Sequence, residues 1–339
     1  MVRVAINGFG RIGQDVIRIW AARENPNFEI VLINGSDSLE IAYRAMAYDS
    51  VYGRFNGEVK IENDRLVING HPVIVMNERD PDKLPWEEHN IDFVIDSTGF
   101  YRTRELLQKQ LDRGAKRVLI TAPVKGDDLT VVMGLNHKDY DPEKHYMVSN
   151  ASCTTNCLAP IAGVLDEAFG INNGIMTTIH AYTNDQKLVD AKHKDPRRAR
   201  AAALNLIPTT TGAAQAVAKV LPQLEGKFTG ISIRVPVPTV SIVDLVANLN
   251  KKVTVEEVNA VLKEASQGKL KGIMGYSEEP LVSTDYIGDN HSGVVDALST
   301  DVIDGDVLKI IAWYDNEWGY SNRLVELVVD MGRVLQRTQ

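Results

Sequence analysis

The stretch VRVAINGFGRIGQDVIRIWAAR, residues 2–23, constrains the fold more than any other part of this chain. VRVAI is a short apolar run of strand character, and RIGQDVIRIWAAR carries a helical period. Between them Gly8-Phe9-Gly10-Arg11-Ile12-Gly13 fits G-x-G-x-x-G. Glycine is common in loops, so the pattern gains its meaning from lying directly after a strand and opening a helix. Gly8 permits a tight turn, Gly10 lets the backbone approach a pyrophosphate, and Gly13 lets helix and strand pack closely. The unpaired N–H groups at the helix start attract phosphate charge. The chain therefore begins as a βαβ unit suited to a dinucleotide.

The following residues extend this pattern. FEIVLI (28–33) reads as a second buried strand and SLEIAYRAMAY as a helix. VINGHPVIVM (67–76) places Asn69-Gly70 between alternating apolar residues, a hairpin signal. IDFVIDST and KRVLITAP flank the helical TRELLQKQLDRG (103–114), restoring the βαβ order of a parallel sheet. After residue 150 the character changes. GIMTTIH (174–180) reads as a strand, and a segment without clear periodicity runs to about residue 207. It contains the basic HKDPRRARA; a stretch of this length is usually functional or interfacial. ISIRVPV and VSIVDLVANL alternate like antiparallel strands. Thr254-x-x-Glu257 is a capping box opening TVEEVNAVLKEASQ. LKIIAWYD (308–315) is a further strand, and the chain closes in the helical SNRLVELVVDMGRVLQR.

With 339 residues the chain is long enough for two domains or one large α/β domain, and its formal net charge of −8 argues against non-specific nucleic-acid binding. No apolar run reaches membrane-spanning length, and MVRVAING lacks the sections of a signal peptide. Two cysteines cannot build a disulfide framework, so a reducing cytoplasm is the expected location.

Both cysteines lie in SNASCTTNC (149–157). ASCTTNCLAPIAGVLDEAF reads as a helix with the apolar stripe Leu158, Ile161, Val164, Leu165 and Phe169. Ser152 is the expected N-cap, which puts Cys153 in the first turn, where the helix dipole lowers a thiol's pKa. Cys157, one turn along, reads as a small buried apolar residue, and its spacing from Cys153 disfavours an unstrained disulfide. Composition leaves Cys153 open between a nucleophile and a structural residue. A thiolate nucleophile needs a base. His180, at the end of GIMTTIH, is the foremost of seven histidines, but periodicity does not pair it with Cys153.

INGFGRIG, YDSVYGRF, SNASCTTNC, HAYTNDQ, RRARAAALNLIPTTTGAA, RVPVP and WYDNEWGYSNR occur here in one order. In that order they resemble the phosphorylating glyceraldehyde-3-phosphate dehydrogenases, from residue 2 to about 335. The resemblance implies an α/β fold: a Rossmann dinucleotide-binding domain (1–151 and 318–339) plus an α+β catalytic domain (152–317) with a largely antiparallel sheet. It also implies a homotetramer, with glyceraldehyde 3-phosphate and inorganic phosphate as partners, and no membrane or specific nucleic acid. Cys153 matches the nucleophile and His180 its base. A thiohemiacetal on Cys153 would give a thioester as hydride passes to the nicotinamide, and phosphate would release an acyl phosphate. The substrate phosphate would meet Thr183, Asp185, Arg198 and Arg234. The attacking phosphate would meet Ser152, Thr154, Thr211 and Gly212. The implied cofactor set is Gly8, Gly10, Arg11, Ile12, Gly13, Asn34, Gly35, Ser36, Arg79, Thr98, Thr121, Lys192, Asn316 and Tyr320. No metal is implied.

Three positions depart from the NAD-specific members of that family. The fingerprint expects an acid near the end of the second strand, on the ribose 2′-hydroxyl. LINGSDS (32–38) has Gly35 there and Asp37 two residues on, within reach to act in its place. Ala191 and Lys192 replace a Leu-Pro pair, and Lys192 is able to pair with a 2′-phosphate from a neighbouring subunit. The expected cofactor is accordingly NADP at least as readily as NAD. Gln14 replaces an arginine common after GFGRIG, which leaves Asp49 without its usual partner. The nearest rival activity is that of erythrose-4-phosphate dehydrogenase, which departs from HAYTNDQ and PTTTG where this chain keeps both. A binding or adhesion role has no support in the sequence.

Overall fold

The computed structural model describes residues 1–24 and 27–337, which form two compact units. One comprises residues 1–131, 136–151 and those from 321 on; the other comprises 132–135 and 152–320.

The first unit starts as the glycine motif requires: β1 (Val2–Asn7), α1 (Arg11–Ala21), β2 (Phe28–Asn34) and α2 (Leu39–Ala47). A two-strand ladder, β3 (Tyr48–Asp49) and β4 (Gly53–Arg54), precedes the meander β5 (Val59–Glu62), β6 (Arg65–Ile68) and β7 (His71–Met76). Then come β8 (Phe93–Asp96), α3 (Arg104–Asp112), β9 (Arg117–Ile120), β10 (Leu129–Thr130) and β11 (Met147–Ser149). Nine strands form one sheet in the order β10-β11-β9-β8-β1-β2-β7-β6-β5. From β10 to β7 every pairing is parallel; β6 and β5 are added antiparallel. Order reverses between β1 and β8, the place where a doubly wound sheet takes its ligand. Val4, Ile6, Ile30, Leu32, Phe93 and Ile95 are fully buried, as expected of parallel strands covered on both faces. The Asn69-Gly70 turn has φ of 48° and 82°, the left-handed pair that a two-residue hairpin loop demands.

Asp49 takes no contact from Gln14 but has a different partner. Arg11, the first residue of α1, forms an ion pair with it, and the Val51 and Tyr52 N–H groups donate to its other oxygen at 2.8 and 2.9 Å. Burial pushes the Asp49 carboxyl up, but these donors more than reverse it and hold it below the ordinary range. Gln14 donates instead to the Phe9 carbonyl, so the motif helix supplies the cation three residues earlier.

The second unit opens with α4 (Cys153–Phe169), followed by β12 (Ile171–Ala181). Residues 182–206 carry turns and one isolated bridge, Lys187 to Ala201. β13 (Ile207–Thr210), α5 (Ala213–Ala216), β14 (Phe228–Val235), β15 (Ser241–Leu249) and α6 (Val255–Gln267) come next. The unit ends with β16 (Met274–Ser277), β17 (Gly293–Ile303), β18 (Val307–Tyr314) and the start of α7 (Trp318–Arg337). Its sheet has the order β13-β14-β12-β15-β18-β17-β16, antiparallel except at β14/β12 and β17/β16. β14 and β15 are neighbours in sequence but not in the sheet. β12 lies between them, parallel to β14 and antiparallel to β15. The capping box of α6 forms in full: Glu257 N–H donates to Thr254 Oγ1, and Thr254 N–H to the Glu257 carboxylate. Among the described residues, no helix is long and apolar enough to cross a membrane, and no side-chain cluster is fit to hold a metal ion.

Candidate active site

In the second unit, sheet register decides which polar side chains meet. β12 and β14 pair His180 with Arg234, and β13 places Ile207 opposite Arg234 on the other side. α4 begins at Cys153, with Ser152 as its N-cap; the Ser152 hydroxyl accepts from the Thr155 N–H at 3.1 Å. Tyr314 of β18 ties helix to strand, its hydroxyl lying 2.8 Å from both the Thr154 and the Thr178 hydroxyls. Its ring meets the His180 ring edge-on, with centroids 6.0 Å apart. Cys153 Sγ and His180 Nε2 thereby come within 3.5 Å of each other.

The tautomer of His180 depends on its other nitrogen. Nδ1 lies 2.7 Å from the Ala181 carbonyl oxygen, which only accepts, and 2.7 Å from Arg234 Nη1, which only donates, so its two neighbours favour opposite tautomers. In the tautomer that donates from Nδ1 to Ala181, Nε2 presents its lone pair to the thiol. Burial, with the Arg234 charge adding to it, pulls this imidazole down to about 3, so it is neutral at neutral pH. Arg234 Nη1 donates to the same Ala181 carbonyl at 3.0 Å, while its Nε is buried without a partner among the described residues. A buried, unpaired guanidinium N–H beside a thiol and a base is a ready donor for an anion.

The thiol departs from expectation. Cys153 keeps some surface accessible, but burial pushes its thiol above the ordinary value. Arg234 and the donors at the start of α4 pull the other way without overcoming that burial. Cys157 behaves as expected. It is buried, its thiol is driven up by burial, and a Cβ on Gly293 would stand 2.6 Å from its Sγ.

The two expected anion sets are laid out differently. Arg198 is fixed by Asp185, by the Thr209 hydroxyl at 2.9 Å and by the Thr210 carbonyl at 3.2 Å. Burial pushes Asp185 up, but Arg198 and His193 more than reverse this and hold it low. Thr183 lies in the loop after β12, its carbonyl accepting from Gln186 N–H. In the second set, Ser152 and Thr154 stand at the start of α4 and Thr211 and Gly212 just before α5. The Thr155 hydroxyl joins the two by donating to the Ala213 carbonyl at 3.3 Å. The Thr154 hydroxyl is committed to Tyr314, and the Thr211 hydroxyl accepts from Ala213 N–H at 3.2 Å. Main-chain N–H groups of the first turn of α4, which lack helical acceptors, are the donors available there.

In the first unit, Gly8, Asn34, Gly35, Arg79 and Thr98 line a cavity of about 400 Å³, together with Asn7, Asn77, Glu78, Phe100 and Tyr101. The glycine loop beside it fits a pyrophosphate. A Cβ on Gly8 would come within 2.6 Å of the Ser97–Thr98 backbone, and one on Gly13 within 2.2 Å of the Gly8 carbonyl. Around Gly10, the N-cap of α1, there is open space where a phosphate can approach; Arg11 and Ile12 follow in its first turn. Thr121 donates its N–H to the Asp96 carbonyl, and the buried Ser36 hydroxyl donates to that of Ser38. Asp37 does not stand alone at the rim, since Asn77 donates to its carboxylate and Arg79 lies 3.9 Å away. Lys192, Asn316 and Tyr320 belong to the second unit. Lys192 is exposed, and the buried Asn316 accepts from the Ser241 hydroxyl at 2.9 Å.

Sequence reasoning overlooked Tyr314, Asn7 and Asp96. Each is a polar residue ending a largely apolar strand, which is the signal that would have found them.

A parallel sheet opened by a dinucleotide fingerprint, and a separate unit carrying a thiol–imidazole contact, are the features of a nicotinamide-dependent dehydrogenase. Residues 2–104 match the NAD-binding domain of glyceraldehyde 3-phosphate dehydrogenase, and residues 152–316 match its C-terminal domain. The chain is 57% identical to the glyceraldehyde-3-phosphate dehydrogenase of Geobacillus stearothermophilus, over 96% of this chain and 97% of that one. It is 56% identical to glyceraldehyde-3-phosphate dehydrogenase 1 of Bacillus subtilis (strain 168), with the same coverage. With glyceraldehyde-3-phosphate dehydrogenase 2 of Streptomyces avermitilis the identity is 52%, over 98% of this chain and 99% of that one. The chain belongs to the glyceraldehyde-3-phosphate dehydrogenase family.

Proposed function

We propose that this protein catalyses the reversible, phosphorylating oxidation of glyceraldehyde 3-phosphate to 1,3-bisphosphoglycerate. Residues 1–151 and 318–339 would hold the dinucleotide, and residues 152–317 carry the chemistry. The observation that carries this reading is the Cys153–His180 contact beside an unpartnered donor of Arg234. His180 Nε2 takes the thiol proton as Sγ adds to the aldehyde carbon, and returns it to the new alkoxide to give a thiohemiacetal. It then takes the hydroxyl proton as the carbon gives up hydride, leaving a thioester on Cys153. A bound nicotinamide supplies the hydride acceptor. Inorganic phosphate adds to the thioester carbonyl, and the thiolate leaves as the acyl phosphate forms. Arg198 and Arg234 hold the substrate phosphate with Thr183 and Asp185. The α4 start and the Thr211-Gly212 turn hold the attacking phosphate through hydroxyl and main-chain donors.

Leaving out phosphate is expected to restrict reduction of the nicotinamide to about one turnover per site, because the thioester accumulates. Steady turnover without phosphate, or a faster rate with the four-carbon aldehyde phosphate, would overturn the reading. With NAD and NADP compared in the same assay, NADP is expected to give kcat/KM at least equal to that of NAD. Gly35 offers no carboxylate to repel a 2′-phosphate, and the Asp37 charge is already matched by Arg79. A strong preference for NAD would reject this part alone.

A homotetramer and a cytoplasmic location complete the proposal. Leu188, Val189, Leu204 and Leu206 all expose most of their surface within residues 182–206, an apolar face suited to a second copy of the chain. Sedimentation is expected to give a native mass four times the 37.5 kDa of the chain, and a monomer would reject it. Both cysteines are free thiols, as suits a reducing compartment.

A further inference from the structure

Asp96 ends β8, is 2% exposed, and takes no part in the chemistry above. In the register of the parallel sheet it lies beside Asn7, the last residue of β1, which in turn lies beside Asn34, the last of β2. Polar side chains on three neighbouring strands therefore form one buried row at the carboxyl edge.

The row has a direction. An ionised carboxylate only accepts hydrogen bonds, so Asn7 must turn its amide nitrogen toward Asp96, where Nδ2 donates to Oδ2 at 2.9 Å. That leaves Asn7 Oδ1 facing Asn34, whose Nδ2 donates to it at 2.8 Å. Asn34 Nδ2 also donates to the Glu78 carbonyl at 2.9 Å, and its Oδ1 accepts the Glu78 N–H at 2.8 Å. Each amide's orientation is thus dictated by the one before it. The last link holds the backbone of Glu78, which lies between Asn77 and Arg79 on one wall of the cavity.

The other oxygen serves the opposite wall. Asp96 Oδ1 accepts from the Thr98 hydroxyl at 2.8 Å and from the Thr98 N–H at 3.3 Å. The Thr98 hydroxyl in turn accepts from the Phe100 N–H at 3.0 Å. Gln110 Nε2 donates to Oδ2 at 2.7 Å from α3, supporting the carboxylate from behind.

We propose that Asp96 is the positioning residue of the nucleotide cavity, one carboxylate orienting both of its walls through Asn7–Asn34–Glu78 and through Thr98–Phe100. This rests on the reading that the first unit binds a nicotinamide dinucleotide. Burial pushes the carboxyl up to about 6 despite four donors, so it is ionised at neutral pH, as the relay requires.

The test is equilibrium binding of NAD and of NADP by titration calorimetry to the full chain and two variants, alongside steady-state kinetics. Asp96→Asn puts an amide where Asn7, Thr98 and Gln110 all donate, and it breaks the orientation chain. It is expected to weaken dinucleotide binding by about tenfold or more, the worth of one good hydrogen bond. At saturating cofactor its kcat should stay within about twofold, because the thiol and its base are untouched. Gln110→Leu removes a donor from the same carboxylate yet leaves both relays in place; compared at about pH 8.5, where the carboxyl stays ionised without that donor, it is expected to lower stability while binding stays within about twofold of the parent. Equal binding by Asp96→Asn and the parent overturns the proposal, as does equal weakening by the two variants. If Asp96→Asn does not fold, weakened binding by Gln110→Leu alone overturns it, and unchanged binding there supports it. A parent chain that binds neither dinucleotide rejects the underlying reading instead.

Discussion

Replacing Cys153 by serine is expected to lower kcat for aldehyde oxidation by about 10³-fold or more while the fold persists. A hydroxyl is a far weaker nucleophile at neutral pH, and an oxygen ester passes its acyl group to phosphate less readily than a thioester. The helix cap at Ser152 and the Thr154–Tyr314 bond do not involve the sulfur, so melting temperature should change little. Cys157→Ser is the companion variant. It buries a hydroxyl against Gly293 and is expected to cost ~1–3 kcal/mol of stability, with kcat within about twofold. Steady-state rates and thermal melts on the two proteins separate the roles. A Cys153→Ser protein retaining a tenth of the parental rate would remove the nucleophile from the mechanism.

His180→Asn is expected to lower kcat by about 10²–10⁴-fold, the usual contribution of a positioned base. The pH dependence of stability gives an independent reading of the same residue. The folded imidazole is pulled down to about 3, whereas in the unfolded chain it titrates near its ordinary value of 6.5. Above the unfolded value both states are neutral and nothing is lost. As pH falls from about 6.5 toward 3 the unfolded chain binds a proton that the folded chain refuses, and stability declines. His180→Asn should remove that share of the acid destabilisation, seen as a shallower fall of denaturant midpoint across this window. An unchanged profile would mean that the folded imidazole takes up its proton as readily as the unfolded one.

Local features of the sequence proved readable because their physics is local. Gly8 has φ of 103° and Gly13 sits against the Gly8 carbonyl, as a strand–turn–helix with that motif demands. Asn69-Gly70, Ser152 and the Thr254–Glu257 box each act within four residues of themselves. Features that depend on distant chain were not readable in the same way. β12 inserts between β14 and β15 from more than 40 residues upstream. Asp49 finds Arg11 across 38 positions, and the thiol rises through burial by residues that no helix rule anticipates. The Asp96–Asn7–Asn34 row exists only once the parallel register is set. For the pairing of His180 with Cys153, family resemblance supplied what periodicity left open, and the 3.5 Å contact places the two side chains together.

The register that sets His180 beside Arg234, and Arg234 beside Ile207, has a consequence for selectivity. On the proposed reading, the reacting carbon lies at the β12 end of this row, and the substrate phosphate lies toward β14 and the Arg198 that β13 anchors. The separation of the two ends of the substrate is then measured across strands, in steps of roughly 4.8 Å set by main-chain hydrogen bonds. Side chains can change rotamer to suit a new ligand, but inter-strand spacing cannot stretch. Such a site works as a ruler, and an aldehyde whose phosphate is one carbon further away would meet it out of step.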